Sequence, residues 1–321
     1  TVAVSLASGG ATSANPILFT VAFSKPVTGF GTGDVTLGGT AGATTAIVSG
    51  DGAVYSVAVS GMTASGTVIV GIPAGVAQDE SDNWNTASPS SAVVEWTIPV
   101  VTSGTIHVNG DAPGPTFDGT SWANAYSELH TALEAASPSG TDGVEIWVAE
   151  GTYRPHARVP EESDNPRTAT FLLKSNVAIY GGFSGNETAL GERDWTSHVT
   201  VLSGDIDGND VVDAEGVTTT FNGSNVYHVV MGVNVDSATR LDGVTVTGGS
   251  ADVDFSGPDA GGGVYNHTAS ATFANVTIAG NRTIRHGGGM YNYNGSNPTL
   301  TNVIISRNDA GGGQGGGMYN T

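Results

Sequence analysis

Leu241-Asp242-Gly243-Val244-Thr245-Val246-Thr247-Gly248-Gly249, Phe273-Ala274-Asn275-Val276-Thr277-Ile278-Ala279-Gly280-Asn281 and Leu300-Thr301-Asn302-Val303-Ile304-Ile305-Ser306-Arg307-Asn308 align without a gap. A second block recurs with them: Gly261-Gly262-Gly263-Val264-Tyr265-Asn266, Gly287-Gly288-Gly289-Met290-Tyr291-Asn292 and Gly315-Gly316-Gly317-Met318-Tyr319-Asn320. The glycine triplets start 26 and 28 residues apart, and Phe273 and Leu300 are 27 apart. Such a period marks a solenoid, whose units bury their apolar faces only by stacking on one another. At about 3.3 Å per residue, one unit draws a path of roughly 90 Å, which suits a three-sided coil rising one strand spacing of about 4.8 Å. The reading predicts that Leu241, Phe273 and Leu300 share one column, with Val244, Val276, Val303 and Val246, Ile278, Ile305 in two more. The glycines let the chain turn with positive φ. Asn266, Asn292 and Asn320 are expected to form a ladder of side-chain amides from coil to coil.

Upstream of the repeats, Thr105–Asn109 reads as a strand. Ser127–Ala136 is the only segment with a helical apolar stripe, carried by Leu129, Ala132, Leu133 and Ala136. Val144–Ala149 is then a strand of the buried type, leading into Glu150-Gly151-Thr152-Tyr153. The order strand, short amphipathic helix, Ile146-Trp147-Val148-Ala149-Glu150-Gly151-Thr152-Tyr153 resembles the start of pectate-lyase-like right-handed parallel β-helices. That resemblance implies a helix, about 127–136, that caps the open end of the stack. The later glycine and asparagine blocks resemble the repeats of polymorphic outer-membrane proteins and other β-helical adhesins. They imply regular repeats over 241–321, within a β-helical domain spanning 105–321. No segment after Tyr319 reads as a C-terminal cap, so the domain is expected to be truncated or capped by a partner.

Residues 1–99 read as seven short strands at intervals of about ten: Val2–Leu6, Ile17–Phe23, Asp34–Leu37, Ala43–Val48, Val54–Val59, Thr67–Ile72 and Val93–Ile98. Gly, Asp, Asn and Pro lie between them, as in a β-sandwich. Residues Thr12 to Phe30, and Ile72 to Asp79 with Asn83 and Asn85 beyond, resemble the opening and closing parts of bacterial immunoglobulin-like repeats of large surface proteins. The resemblance covers nearly all of 1–99 and implies a spacer without chemistry of its own. Residues 100–104 form a short junction. The fold expected is all-β: an Ig-like sandwich, then a parallel β-helix with one short capping helix.

Composition narrows the function. Ten Lys and Arg stand against thirty Asp and Glu, a formal charge of −20. Such a surface repels nucleic acid and anionic membranes, because phosphate binding needs cationic side chains. The absence of cysteine removes disulfides, thiolate metal sites and cysteine nucleophiles, and suits a bacterial extracellular protein better than an animal one. No apolar run approaches the roughly 18 residues that span a bilayer.

Candidate chemistry is sparse. Asp205, Asp207, Asn209, Asp210 and Asp213 form the densest group of oxygens, with Glu215 just beyond. Alternate carboxylates around Gly208 read either as the start of a calcium cage, which takes six to eight oxygens, or as a solvated acidic loop. Asp79, Glu80, Asp82 and Asn83 form a second, weaker group of the same kind. Arg282, Arg285 and His286 are the best candidates for a base, but the coil-forming blocks hold no pair of carboxylates for acid–base work. Tyr265, Tyr291 and Tyr319 form an aromatic stripe that either packs half-buried or stacks on sugars. Six asparagines (186, 222, 266, 275, 281 and 294) match the glycosylation sequon and are read first as ladder or turn residues. The expectation is a non-catalytic extracellular structural or adhesive protein of the bacterial surface, either an Ig-like spacer with a β-helical rod or a subunit that assembles head-to-tail into a fibre. Its expected partners are other copies of itself, other surface proteins or glycans, and calcium is the only cofactor considered. The alternative is a polysaccharide-binding or lyase-like carbohydrate-active β-helix.

Overall fold

A computed structural model describes residues 1–7, 12–88, 92–114, 116–139, 143–158, 164–253 and 259–321. The chain is mostly β, with one α-helix among the described residues, and divides into two compact units. One unit comprises residues 1–99 and 112–118, the other 100–111 and 119–321.

The first unit contains two larger antiparallel sheets and a short third, in which Val27–Thr28 pairs with Gln78–Asp79. One orders Val2–Leu6, Ile17–Phe23, Val54–Ser60 and Thr45–Asp51 side by side, and the other orders Thr36–Gly38, Gly66–Gly71 and Ala92–Trp96. The period-two pattern decides which side is buried. Ile17, Phe19 and Val21 are buried and pair in register with Val59, Val57 and Tyr55, buried Phe23 pairs with Val2, and Leu18 and Ile47 point out and are half exposed. Asp34, expected to open a strand, instead ends a 3₁₀ turn at Thr32–Asp34, where its carboxylate accepts the amide of Gly31 at 2.7 Å. A short polar side chain that satisfies its own backbone competes with the ladder, so the strand starts two residues later. The closing loop is held by Asn85. Its buried side chain accepts the amides of Val76 and Ala77 and donates to the carbonyl of Pro73.

The second unit is built from three parallel sheets that the chain visits in rotation. Face one orders Gly104–Val108, Val144–Ala149, Val177–Phe183, Arg240–Asp242, Thr272–Ala274 and Thr299–Thr301. Face two orders Gly151–Tyr153, Thr200–Ser203, Val244–Thr247, Thr277–Ala279 and Ile304–Ser306. Face three orders Phe171–Leu172, Val230–Val233, Val264–His267, Met290–Tyr293 and Met318–Asn320. From Val144 onward each circuit adds one strand to every face. Ile106, Ile146, Ile179, Leu241, Phe273 and Leu300 stand in one register on face one. Leu202, Val246, Ile278 and Ile305 do so on face two, and Phe171, Val230, Val264, Met290 and Met318 on face three. Leu241 and Phe273 are fully buried, while Leu300, on the outermost strand, is 36% exposed.

The corners repeat as faithfully as the strands. Gly243, Asn275 and Asn302, one per circuit, have φ of +71°, +51° and +51°, and Asn234, Thr268 and Asn294 have +53°, +52° and +54°. Asn tolerates this region because its short amide bonds locally, while β-branched Thr268 is strained there. At Gly287, φ is +61°, and a Cβ would overlap the carbonyl of Met290. At Gly262 a Cβ would overlap the carbonyl of Arg282, so the close approach of successive turns requires glycine.

The helix, α1, spans Leu129–Ala135, two residues later in its start than the sequence pattern implies, and buries Leu129, Ala132 and Leu133. Its C-terminal carbonyls are satisfied from outside: Lys174 Nζ donates to the carbonyl of Ala136 at 3.0 Å, and the amide of Val101 to that of Ala135 at 2.8 Å. Val101 also forms a parallel bridge with Ala136, so residues expected as a plain junction are hydrogen-bonded to the second unit. No helix of the described residues is long and apolar enough to cross a membrane.

Candidate functional site

The inward side of face three carries Asn266, Asn292 and Asn320 in register. Asn266 Nδ2 donates to Asn292 Oδ1 at 2.8 Å, and Asn292 Nδ2 donates to Asn320 Oδ1 at 2.7 Å. Asn266 and Asn292 are buried, and buried amides are costly unless paired. Two further amide ladders accompany this one. Asn302 Nδ2 donates to Asn275 Oδ1 at 2.8 Å, and Asn281 Nδ2 donates to Asn308 Oδ1 at 3.0 Å. Both pairs occupy matching positions of the nine-residue blocks, so the alignment carried the signal. The sequence marks Asn275 and Asn281 as ladder or turn residues, but not their partners Asn302 and Asn308.

Below Asn275 the outer ladder ends on an ionic hub. Asp242 Oδ1 accepts Arg193 Nη2 at 2.7 Å and Asn275 Nδ2 at 2.9 Å, while Oδ2 accepts Arg240 Nη2 at 2.6 Å. Burial pushes the Asp242 carboxyl up, but the bonds from Asn275, Arg193 and Arg240 outweigh it and hold the group below its ordinary range. Arg193 also lies over the rings of Tyr180 and Trp195, at 5.1 and 4.9 Å. Sequence reading missed this hub because Arg193 lies 49 residues before Asp242 and Asn275 lies 33 residues after it.

The acidic loop does not gather its oxygens around one point. Asp205 accepts the amides of Asn209 and Asp210, Asp207 the amide of Ser224, and Asp210 the amides of Asn222 and of the Asn225 side chain. Asp213 accepts the amides of Glu215 and Val217 and pairs with Arg307 at 2.6 Å. Asn209 offers its backbone carbonyl to Asn222. Among the described residues no group of three His, Asp or Glu side chains is placed to hold a metal ion. The calcium reading of Asp205, Asp207, Asn209, Asp210 and Asp213 thus meets an arrangement in which amides already use the carboxylates. Alternating acids at a loop serve Asx-type turns as readily as a cation. In the first unit Asp79 acts likewise, accepting the amides of Ser81 and Asn83, and the Lys25 ammonium above all holds its carboxyl well below the usual range.

The three basic candidates part company. Arg282 bonds Ser250 Oγ and lies 4.1 Å over Phe221, while Arg285 pairs with Asp259 at 3.0 Å. His286 stacks on Tyr319 with centroids 4.4 Å apart. Of the sequon asparagines, Asn266 and Asn281 are buried, and Asn275 and Asn294 sit at corners of positive φ.

The outward side of face three is aromatic. Tyr265, Tyr291 and Tyr319 are consecutive in register, with centroids 5.7 and 5.9 Å apart, and Tyr293 lies beside Tyr291 at 5.9 Å. The rings of Tyr293 and Tyr319 each lie within 16° of parallel to that of Tyr291, and Tyr265 is tilted 45° from it. Buried His228 lies against Tyr265 at 4.8 Å. Burial pushes its imidazole down to about 4, against a bond to the carbonyl of Gly261 that favours the charged form. A separate cleft of about 350 Å³ beside α1 is lined by Glu128, Arg154, His156, Arg158 and Ile206. Burial pushes the Glu128 carboxyl up there and the His156 imidazole down.

No family model, curated protein or solved structure matches this chain.

Proposed function

We propose that the chain is a non-catalytic structural and adhesive module of the bacterial cell surface. Residues 1–99 serve as an immunoglobulin-like spacer, and the three-faced unit as a right-handed parallel β-helix that forms a rigid rod. The observation that carries the reading is the in-register stacking of like residues on all three faces, tied by amide ladders. Such a stack spends its polar side chains on neighbouring circuits and builds a stiff, repetitive outer surface, which suits display. Its expected partners are further copies of the chain, other surface proteins or glycans.

Two measurements test this. Protease shaving of intact cells should cleave the protein, and a chain protected until lysis overturns the surface location. Beads coated with the purified chain should be retained on matrix protein or polysaccharide films under flow, and release from every film overturns the adhesive role. Formation of unsaturated uronides or new reducing ends from polysaccharides would favour the alternative, a carbohydrate-active β-helix.

A further inference from the structure

We propose that the outward side of face three, from Met231 to Tyr319, binds an uncharged polysaccharide chain laid along the stacking direction. The inference rests on the adhesive reading and names its ligand. Its first ground is periodicity. One tyrosine per circuit at 265, 291 and 319, with Tyr293 alongside, places rings at nearly equal steps along one line. A ligand that itself repeats can meet identical groups at each step, whereas a folded protein surface has no such period.

The second ground is hydrogen bonding. None of the hydroxyls of Tyr265, Tyr291, Tyr293 and Tyr319 bonds to another described residue. Stacking on neighbouring rings fixes these side chains in advance, which lowers the entropy lost on binding. Tyrosine offers apolar ring area to the C–H side of a pyranose and a hydroxyl to its oxygens.

The third ground is charge. The outward positions Met231, Val233, Tyr265, His267, Tyr291, Tyr293 and Tyr319 include no carboxylate or ammonium, and at the border Asp259 and Arg285 neutralise each other at 3.0 Å. Nucleic acid also stacks on aromatic rows, but it needs cations to neutralise its phosphates. Uronate polymers face the same repulsion from a chain of charge −20. A neutral glycan meets neither penalty.

Affinity electrophoresis of the whole chain in gels containing mixed-linkage β-glucan, xylan, galactomannan or polygalacturonate tests the inference. At least one neutral polymer should retard the chain. Tyr291→Ala and Tyr293→Ala should each weaken that retardation about fivefold to tenfold, the scale of one lost ring contact. Val93→Ser, at an exposed position of the other unit, should change nothing. Tyr293 is 42% exposed, so its removal leaves the core intact, and circular dichroism checks both variants. Silence in every neutral gel, retardation by polygalacturonate alone, or variants retarded like the parent would each overturn the proposal. Bead retention on protein films together with silence in the gels overturns the glycan and leaves the adhesive reading standing.

Discussion

Asn266 and Asn292 lie one circuit apart with their side-chain amides joined at 2.8 Å, inside a stack where neither reaches water. Asn292 donates onward to Asn320, so its amide serves two neighbours at once. Asn292→Ala removes both bonds and orphans the buried Nδ2 of Asn266, whose Oδ1 already has no partner among the described residues. It should cost about 2–4 kcal/mol, since each orphaned buried polar group costs about 1–3 kcal/mol. Asn320→Ala, on an exposed outer strand, should cost less than about 1 kcal/mol. Urea unfolding of the two variants checks this, and equal losses would remove the ladder from the account of stability.

Thr268 is the β-branched member of a corner otherwise built by Asn234 and Asn294, at a φ of +52°. Thr268→Asn should relieve strain while keeping a polar group near Asn294, which now donates to Thr268 Oγ1 at 3.0 Å. The expected gain is about 1 kcal/mol, seen as a rise of about 2–4 °C in Tm. A fall in Tm would show that the threonine hydroxyl matters more than the backbone.

Burial separates two ion pairs of equal appearance. The Arg193 and Asp242 side chains are 8% and 2% exposed, while Lys25 facing Asp79 is 63% exposed. Asp242→Asn leaves Arg193 buried without its counter-charge and should cost about 3–5 kcal/mol. Lys25→Ala should leave the midpoint of unfolding nearly unchanged, because water screens the exposed pair. The difference should persist in high salt, because buried pairs are little screened.

Acid should loosen the second unit before its carboxylates titrate. Burial pushes both His228 and His130 down to about 4, and His130 Nδ1 has no hydrogen-bond partner. The unfolded chain takes up these protons near pH 6.5 and the folded chain only near 4. Stability is therefore full above about pH 6.5 and falls through the window down to about 4, by roughly 3 kcal/mol per histidine. His228→Gln cannot titrate, so it should flatten part of the decline in Tm between pH 7 and 4.5. An unchanged slope would show that His228 does not set the acid response.

Calcium provides a direct check of the acidic loop. A site saturated a hundredfold above its Kd would add about 2.7 kcal/mol. Because amides use the carboxylates of Asp205, Asp207, Asp210 and Asp213, melting with calcium or with a chelator should give the same midpoint to within about 1 °C. A clear upward shift with calcium would mean that the loop rearranges around the ion.

The repeat told a reader of the sequence which residues share a column, because identical spacing leaves Leu241, Phe273 and Leu300 one way to stack. Short apolar runs divided by Gly, Asp, Asn and Pro likewise marked strands such as Ile17–Phe23 and Val54–Ser60 in the first unit. Both signals are local or periodic, and hydrophobic burial acts on them directly. Tertiary structure alone decided what the irregular polar residues do. Asp242 became the seat of two arginines, Asp205 and Asp210 turned to amides, Arg282 moved away from His286, and the tyrosine stripe kept its hydroxyls unbonded. These outcomes depend on groups brought together from distant circuits, and a charge or a hydroxyl takes whichever partner the finished stack presents.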